Sequence, residues 1–83
     1  MIDVAAAVEN ANAYLKRFYP DIKNILLEEA ELDEKSNQWL ITLSFLDLGD
    51  MSFAIYPPQR KYKVFRIDAG NGNVRAMKIR DNQ

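Results

Sequence analysis

In "QWLITLSFL", residues 38–46, Trp39, Ile41, Leu43 and Phe45 recur at every second position, with Leu40, Thr42, Ser44 and Leu46 between them. Successive side chains of a strand point to opposite faces, so this alternation predicts a strand with one large apolar face. Such a ridge is stable only when another element covers it.

The covering element precedes it in the chain. Val4, Val8, Ala11, Leu15 and Phe18 fall at spacings of four, three, four and three. That spacing predicts an amphipathic helix, with Ala5, Tyr14 and Tyr19 widening the apolar stripe. Asp3 suits the N-cap, Glu9 lies near the positive end of the helix dipole, and Lys16 and Arg17 lie near the negative end. Pro20 ends the helix, because it has no N–H to donate and its ring clashes with the preceding turn. Ala5, Ala6, Ala7, Ala11 and Ala13 favour helix, and their short side chains let it lie close to a sheet.

"NILLEEAELDE", residues 24–34, predicts a long strand, and "DEKSNQ" a hairpin loop leading into the ridge strand. Period two sets Leu26, Glu28, Ala30 and Leu32 on one face, and Ile25, Leu27, Glu29 and Glu31 on the other. Near the C-terminus, "YKVFRIDAGNGNVRAMKIR" predicts a second hairpin. Gly70, Asn71, Gly72 and Asn73 tolerate positive φ and supply its turn, and Asp68 suits an Asx turn. On one register Phe65 and Ile67 share a face with Met77 and Ile79. Tyr62, Val64, Arg66, Ala76, Lys78 and Arg80 line the other, and a one-residue slip would exchange the two faces.

Between the hairpins the pattern is irregular. Gly49-Asp50 breaks the second strand. Met51, Phe53 and Ile55 alternate with Ser52, Ala54 and Tyr56, and Pro57-Pro58 imposes extended backbone. Phe53, Tyr56, Pro57 and Pro58 suit either a loop that covers the sheet edge or a loop that binds a partner.

The chain has 83 residues, enough for one domain, and a domain of this size buries only about 60% of its unfolded surface. It contains no cysteine and no histidine. The commonest general base, the usual metal ligands and the familiar nucleophile–histidine pairs are therefore missing, and a non-enzyme without cofactor or metal is expected. "GNG" lacks the Lys-Ser/Thr and following helix of a phosphate loop. The acids of residues 28–34 lack calcium-loop spacing. No apolar run reaches the ~18 residues of a membrane span, and the N-terminus lacks the cationic region of a signal peptide, so a cytoplasmic chain is expected.

Net charge is −1, but residues 1–50 carry ten acids against four bases, and residues 51–83 carry seven bases against two acids. Two readings stand: acidic and basic strands pair across the sheet, or the basic hairpin is a binding face. Arg60, Lys61, Lys63, Arg66, Arg75, Lys78 and Arg80 interleave with Tyr62 and Phe65, the composition of a base-stacking strand platform, so nucleic-acid binding is the alternative reading.

The C-terminal hairpin resembles that of PepSY domains, in which a hydrophobic-Asp pair ends a strand, a D-x-x-(T/N)-G turn follows and the last strand begins with Val. Ile67, Asp68, Asn71, Gly72 and Val74 occupy those positions. The Ala-rich first helix and the acidic strand before "QWLITLSF" are in the same style, and Pro57-Pro58 departs from it. The resemblance implies a cystatin-like α+β fold and an accessory module that modulates peptidases or binds ligands, with no catalytic residues to carry over.

The expectation is a single α+β domain over residues 1–83, one N-terminal helix packed on a four-stranded antiparallel meander. One helix covers one face only. The other, carrying Thr42, Ser44 and apolar Leu40, Leu46, Tyr62 and Val64, is the expected docking surface for a protein partner or a weak homodimer. Candidate partner-binding residues are Phe53, Tyr56, Pro57, Pro58, Tyr62, Lys63, Arg66, Arg75 and Lys78.

Overall fold

The computed structural model describes residues 1–47 and 60–80. Helix α1 spans Val4–Phe18, and strands β1 (Ile22–Asp33), β2 (Gln38–Asp47), β3 (Arg60–Asp68) and β4 (Val74–Ile79) follow it. The strands form one antiparallel sheet in the order β1-β2-β3-β4, an α+β meander with α1 on one face. The Met51–Tyr56 alternation and Pro57-Pro58 lie outside the described residues.

Local chemistry starts and stops α1 as expected. Asp3 is the N-cap, its Oδ1 accepting from the Ala6 N–H at 2.9 Å. Lys16 and Arg17 occupy the last turn, and the Tyr19 N–H closes on the Leu15 carbonyl at 2.9 Å, one residue before Pro20.

The buried stripe differs from the one the spacing predicts. Ala7, Ala11 and Leu15 are buried, whereas Val4 and Phe18 are exposed, Phe18 by 53%. The centre of the predicted stripe, Ala11 and Leu15, faces the sheet with Ala7 beside it, and its ends, Val4 and Phe18, do not. Ala7 and Ala11 bring the helix backbone down onto the ridge, and a bulkier pair would hold it away. Ile41, Leu43 and Phe45 of β2 join Phe65 and Ile67 of β3 beneath them, with Ile2, Val8, Tyr14, Trp39 and Met77 packed around. The ring of Tyr14 meets that of Phe65 edge-on, with centroids 6.4 Å apart.

β2 and β3 pair without interruption, and Phe65↔Met77, Arg66↔Ala76 and Val64↔Lys78 give the C-terminal hairpin the predicted faces. β1 departs from strict alternation. It gains one residue on β2 between Lys23 and Leu26, and another between Leu27 and Glu29. Asn24, at the first irregularity, has φ 58, a left-handed conformation that Asn tolerates. The second bulge lets Leu27, Ala30 and Leu32 stand opposite Leu43, Ile41 and Trp39 on the helix face. Glu29 and Glu31 then stand opposite Thr42 and Leu40 on the other face, so Leu27 and Glu29 do not share a face as period two would require.

The β3–β4 turn is tied to the helix. Asp68 Oδ1 accepts from the N–H groups of Gly70 at 2.7 Å and Asn71 at 3.2 Å, the expected Asx turn. Gly72 has φ 81, and its carbonyl accepts from Asn10 Nδ2 at 2.9 Å. The Ile2 N–H donates to the Ala69 carbonyl at 2.8 Å, and the Ile2 carbonyl accepts from the Trp39 indole at 3.1 Å. A Cβ on Gly72 would lie 2.9 Å from Asn10 Nδ2. Gly72→Ala should cost about 1–2 kcal/mol through left-handed backbone strain alone. In a domain this small that lowers Tm by about 5–15 °C, measurable by circular dichroism.

Candidate docking face

The face of the sheet away from α1 is built from the even-numbered positions of β2 and β3 and from the charged halves of β1 and β4. Gln38, Leu40, Thr42, Ser44 and Leu46 run down its centre, and Asp68, Arg66, Val64, Tyr62 and Arg60 lie opposite them on β3. Among the described residues no helix lies on this face.

Thr42 and Ser44 are nevertheless buried, at 3% and 0% exposure, which corrects the expectation that this face displays them. Long charged side chains arch over them. Ser44 Oγ donates to Glu28 Oε2 at 2.6 Å and accepts from Arg60 Nη1 at 3.0 Å. The same Arg60 guanidinium donates to the backbone carbonyl and side-chain oxygen of Asn24. Arg80 donates to Glu29 and, at 3.1 Å, to Thr42 Oγ1. Arg66 donates to Gln38 Oε1 at 3.3 Å and lies 3.9 Å from Asp33. Acids of β1 meet bases of β3 and Arg80 over the top of β2, and Lys61 of β3 meets Asp47 on neighbouring β2. The hydroxyls beneath are satisfied by these charges, so their burial carries no unpaired polar group.

The ion pairs themselves are exposed and contribute little. For Arg80 and Glu29, with side chains 44% and 62% exposed, a double-mutant cycle of Arg80→Gln and Glu29→Gln in urea unfolding should return a coupling below about 1 kcal/mol.

Between these bridges lies a groove of about 750 Å³, lined by Glu29, Glu31, Leu40, Thr42, Val64 and Arg80. Leu40 and Val64 form its apolar floor. The acidic rim comes from β1, and the basic rim from the residue following β4.

Of the candidate partner-binding residues, Tyr62, Arg66 and Lys78 lie on this face, as their register requires. Lys63 lies on the opposite face, opposite Leu43, with its ammonium 5.1 Å from the centre of the Tyr19 ring. Arg75 sits at the β3–β4 bulge, apart from the groove. Phe53, Tyr56, Pro57 and Pro58 lie outside the described residues. Sequence reasoning did not single out Glu29, Glu31 or Leu40 as a set. The tandem pairs Leu26-Leu27 and Glu28-Glu29, which interrupt period two, were the available sign of the bulge that assembles them.

The basic residues are mostly engaged. Arg60, Arg66 and Arg80 bridge the open face, Lys61 lies 3.4 Å from Asp47, and Lys63 covers Tyr19. Among the described residues no cluster of three or more acids is placed to hold a metal ion, and no helix is long and apolar enough to cross a membrane. Comparison of the chain with protein-family models, with curated proteins and with solved structures gave no match.

Proposed function

We propose that this chain is a small non-enzymatic interaction or regulatory module that docks a protein segment through the face of its sheet away from α1. The groove with an apolar floor and oppositely charged rims carries this reading. It suits a segment that inserts an apolar side chain between polar flanks, with Leu40 and Val64 supplying contact area and Glu29, Glu31 and Arg80 the orientation. The resemblance of the C-terminal hairpin to that of PepSY domains would make the module an accessory to a larger system, such as one that restrains a peptidase. The nucleic-acid reading is weakened by the engagement of most basic side chains with acids, carbonyls and a ring of the same chain.

Peptides selected from a display library against the folded chain test the proposal. Bound peptides should shift the amide resonances of Leu40, Thr42, Val64 and Arg80. Leu40→Arg, whose long stem leaves its charge in solvent while filling the groove, should weaken them at least tenfold. Shifts confined to α1, or affinity indifferent to Leu40→Arg, would remove the groove from the account. Self-association that disappears with the same substitution would instead make a second copy the occupant.

A further inference from the structure

β4 ends the sheet, and among the described residues nothing pairs with its outer side. The direction of its main-chain groups follows from one hydrogen bond. The Arg80 N–H donates to the Tyr62 carbonyl at 3.0 Å. The register carries these residues opposite one another, as it does Val64 and Lys78, and Arg66 and Ala76. Antiparallel ladders alternate, so Ala76, Lys78 and Arg80 turn their N–H and C=O groups toward β3. Met77 and Ile79 turn theirs outward, away from the sheet.

Side chains alternate with the same period. Met77 and Ile79 lie on the helix face, and Ile79 is 77% exposed. On the same face, the flank of α1 carries Asn10, Tyr14 and Arg17 toward the β3–β4 turn and Val74. The half-exposed Phe18 ring lies one turn further on, 4.9 Å from Tyr14. On the other face Lys78 is exposed and, among the described residues, has no partner, with Arg80 two positions on. The edge thus offers free donors and acceptors, an apolar shelf rimmed by Arg17 on one side, and the Lys78 ammonium on the other.

We propose that the outer edge of β4 accepts an extended protein segment of alternating apolar and acidic residues as an added fifth strand. The main-chain ladder would supply the affinity, and the alternation would sort the side chains. Apolar positions cover Ile79, Met77 and Phe18, and an acidic position meets Lys78. Pairing of β4 with β4 of a second copy would bring Lys78 and Arg80 against their own kind, which is unfavourable. The edge residues Met77, Lys78 and Ile79 lie outside the groove, whose lining takes Arg80 from the end of β4, so a change at Leu40 leaves the edge in place.

The probe is a capped hexapeptide of alternating glutamate and valine, titrated into the full chain and followed by amide NMR. It should bind at least tenfold more tightly than the matching lysine–valine peptide, with the largest shifts from Met77 to Arg80. Leu40→Arg should leave this binding unchanged. Ile79→Pro removes an N–H that points away from β3, so the sheet keeps its ladder while the added strand loses its donor, and binding should fall at least tenfold. Lys78→Glu should do the same while leaving every backbone group in place, and it decides the matter if the proline variant fails to fold. Equal affinity for the two peptides, shifts centred on β1 or on the groove, or binding indifferent to Lys78→Glu would overturn the proposal. So would shifts at Met77 and Ile79 that depend on protein concentration alone, because a second copy would then hold the edge.

Discussion

Phe65→Ala should remove about 3–5 kcal/mol, the range for deleting a buried aromatic ring. A domain of this length holds roughly 4–12 kcal/mol in total, so the loss takes a large share of it and Tm should fall by about 12–40 °C. Phe65 is fully buried where three elements meet. It stands opposite Ile41 on β2 and Met77 on β4, and Tyr14 of α1 closes on its ring. The cavity cannot collapse without moving helix and sheet together. Phe18→Ala is the contrast. That ring is half in solvent and touches Tyr14, so its loss should cost about 1 kcal/mol or less, a pair contact without a cavity. Urea unfolding of both variants gives the comparison directly.

Ala11→Leu should cost about 1–3 kcal/mol or somewhat more, although leucine is itself a good helix former. Ala11 has no exposed surface and lies in the core cluster with Ile41, Leu43 and Phe65. Added carbons there have nowhere to go except into the ridge or the helix backbone. Ala5→Leu adds the same atoms on the exposed side of α1 and should change stability by less than about 0.5 kcal/mol. The pair separates the two candidate stripes. A stripe running from Val4 to Phe18 and widened by Ala5 would make these costs more alike, whereas the stripe of Ala7, Ala11 and Leu15 makes them differ by at least about 0.5 kcal/mol.

Elements and their order were legible because each rests on local chemistry. The strict alternation of residues 38–46, the N-cap at Asp3, the stop at Pro20 and the turn residues around Gly72 act over a few positions each. The register of the C-terminal hairpin was not legible: a one-residue slip would exchange its faces, and the pairing that brings Phe65, Ile67 and Met77 together includes a bulge at Arg75. What escaped depends on distance or on size. Apolar periodicity weights Val4 and Phe18 as heavily as core residues, while close helix–sheet contact selects alanine. Period two assigns β1 wrongly because each bulge adds a residue to one strand only, a fact about the pair rather than about β1. The burial of Thr42 and Ser44 comes from Glu28, Arg60 and Arg80 on other strands, which no local pattern announces. The bond from Asn10 to Gly72 joins residues 62 positions apart. The charge asymmetry was legible as a fact; which acid meets which base was not.

The proposed roles of both surfaces follow from the polarity of the sheet, one side under α1 and the other open to partners. Methyl relaxation by an inert soluble paramagnetic agent measures that polarity most directly. The Leu40 and Val64 methyls should relax strongly, while those of Ile41, Leu43 and Ile67 stay protected. Protection of Leu40 and Val64 equal to that of Ile41 in the isolated monomer would contradict the account, because the face assigned to a partner would already be covered.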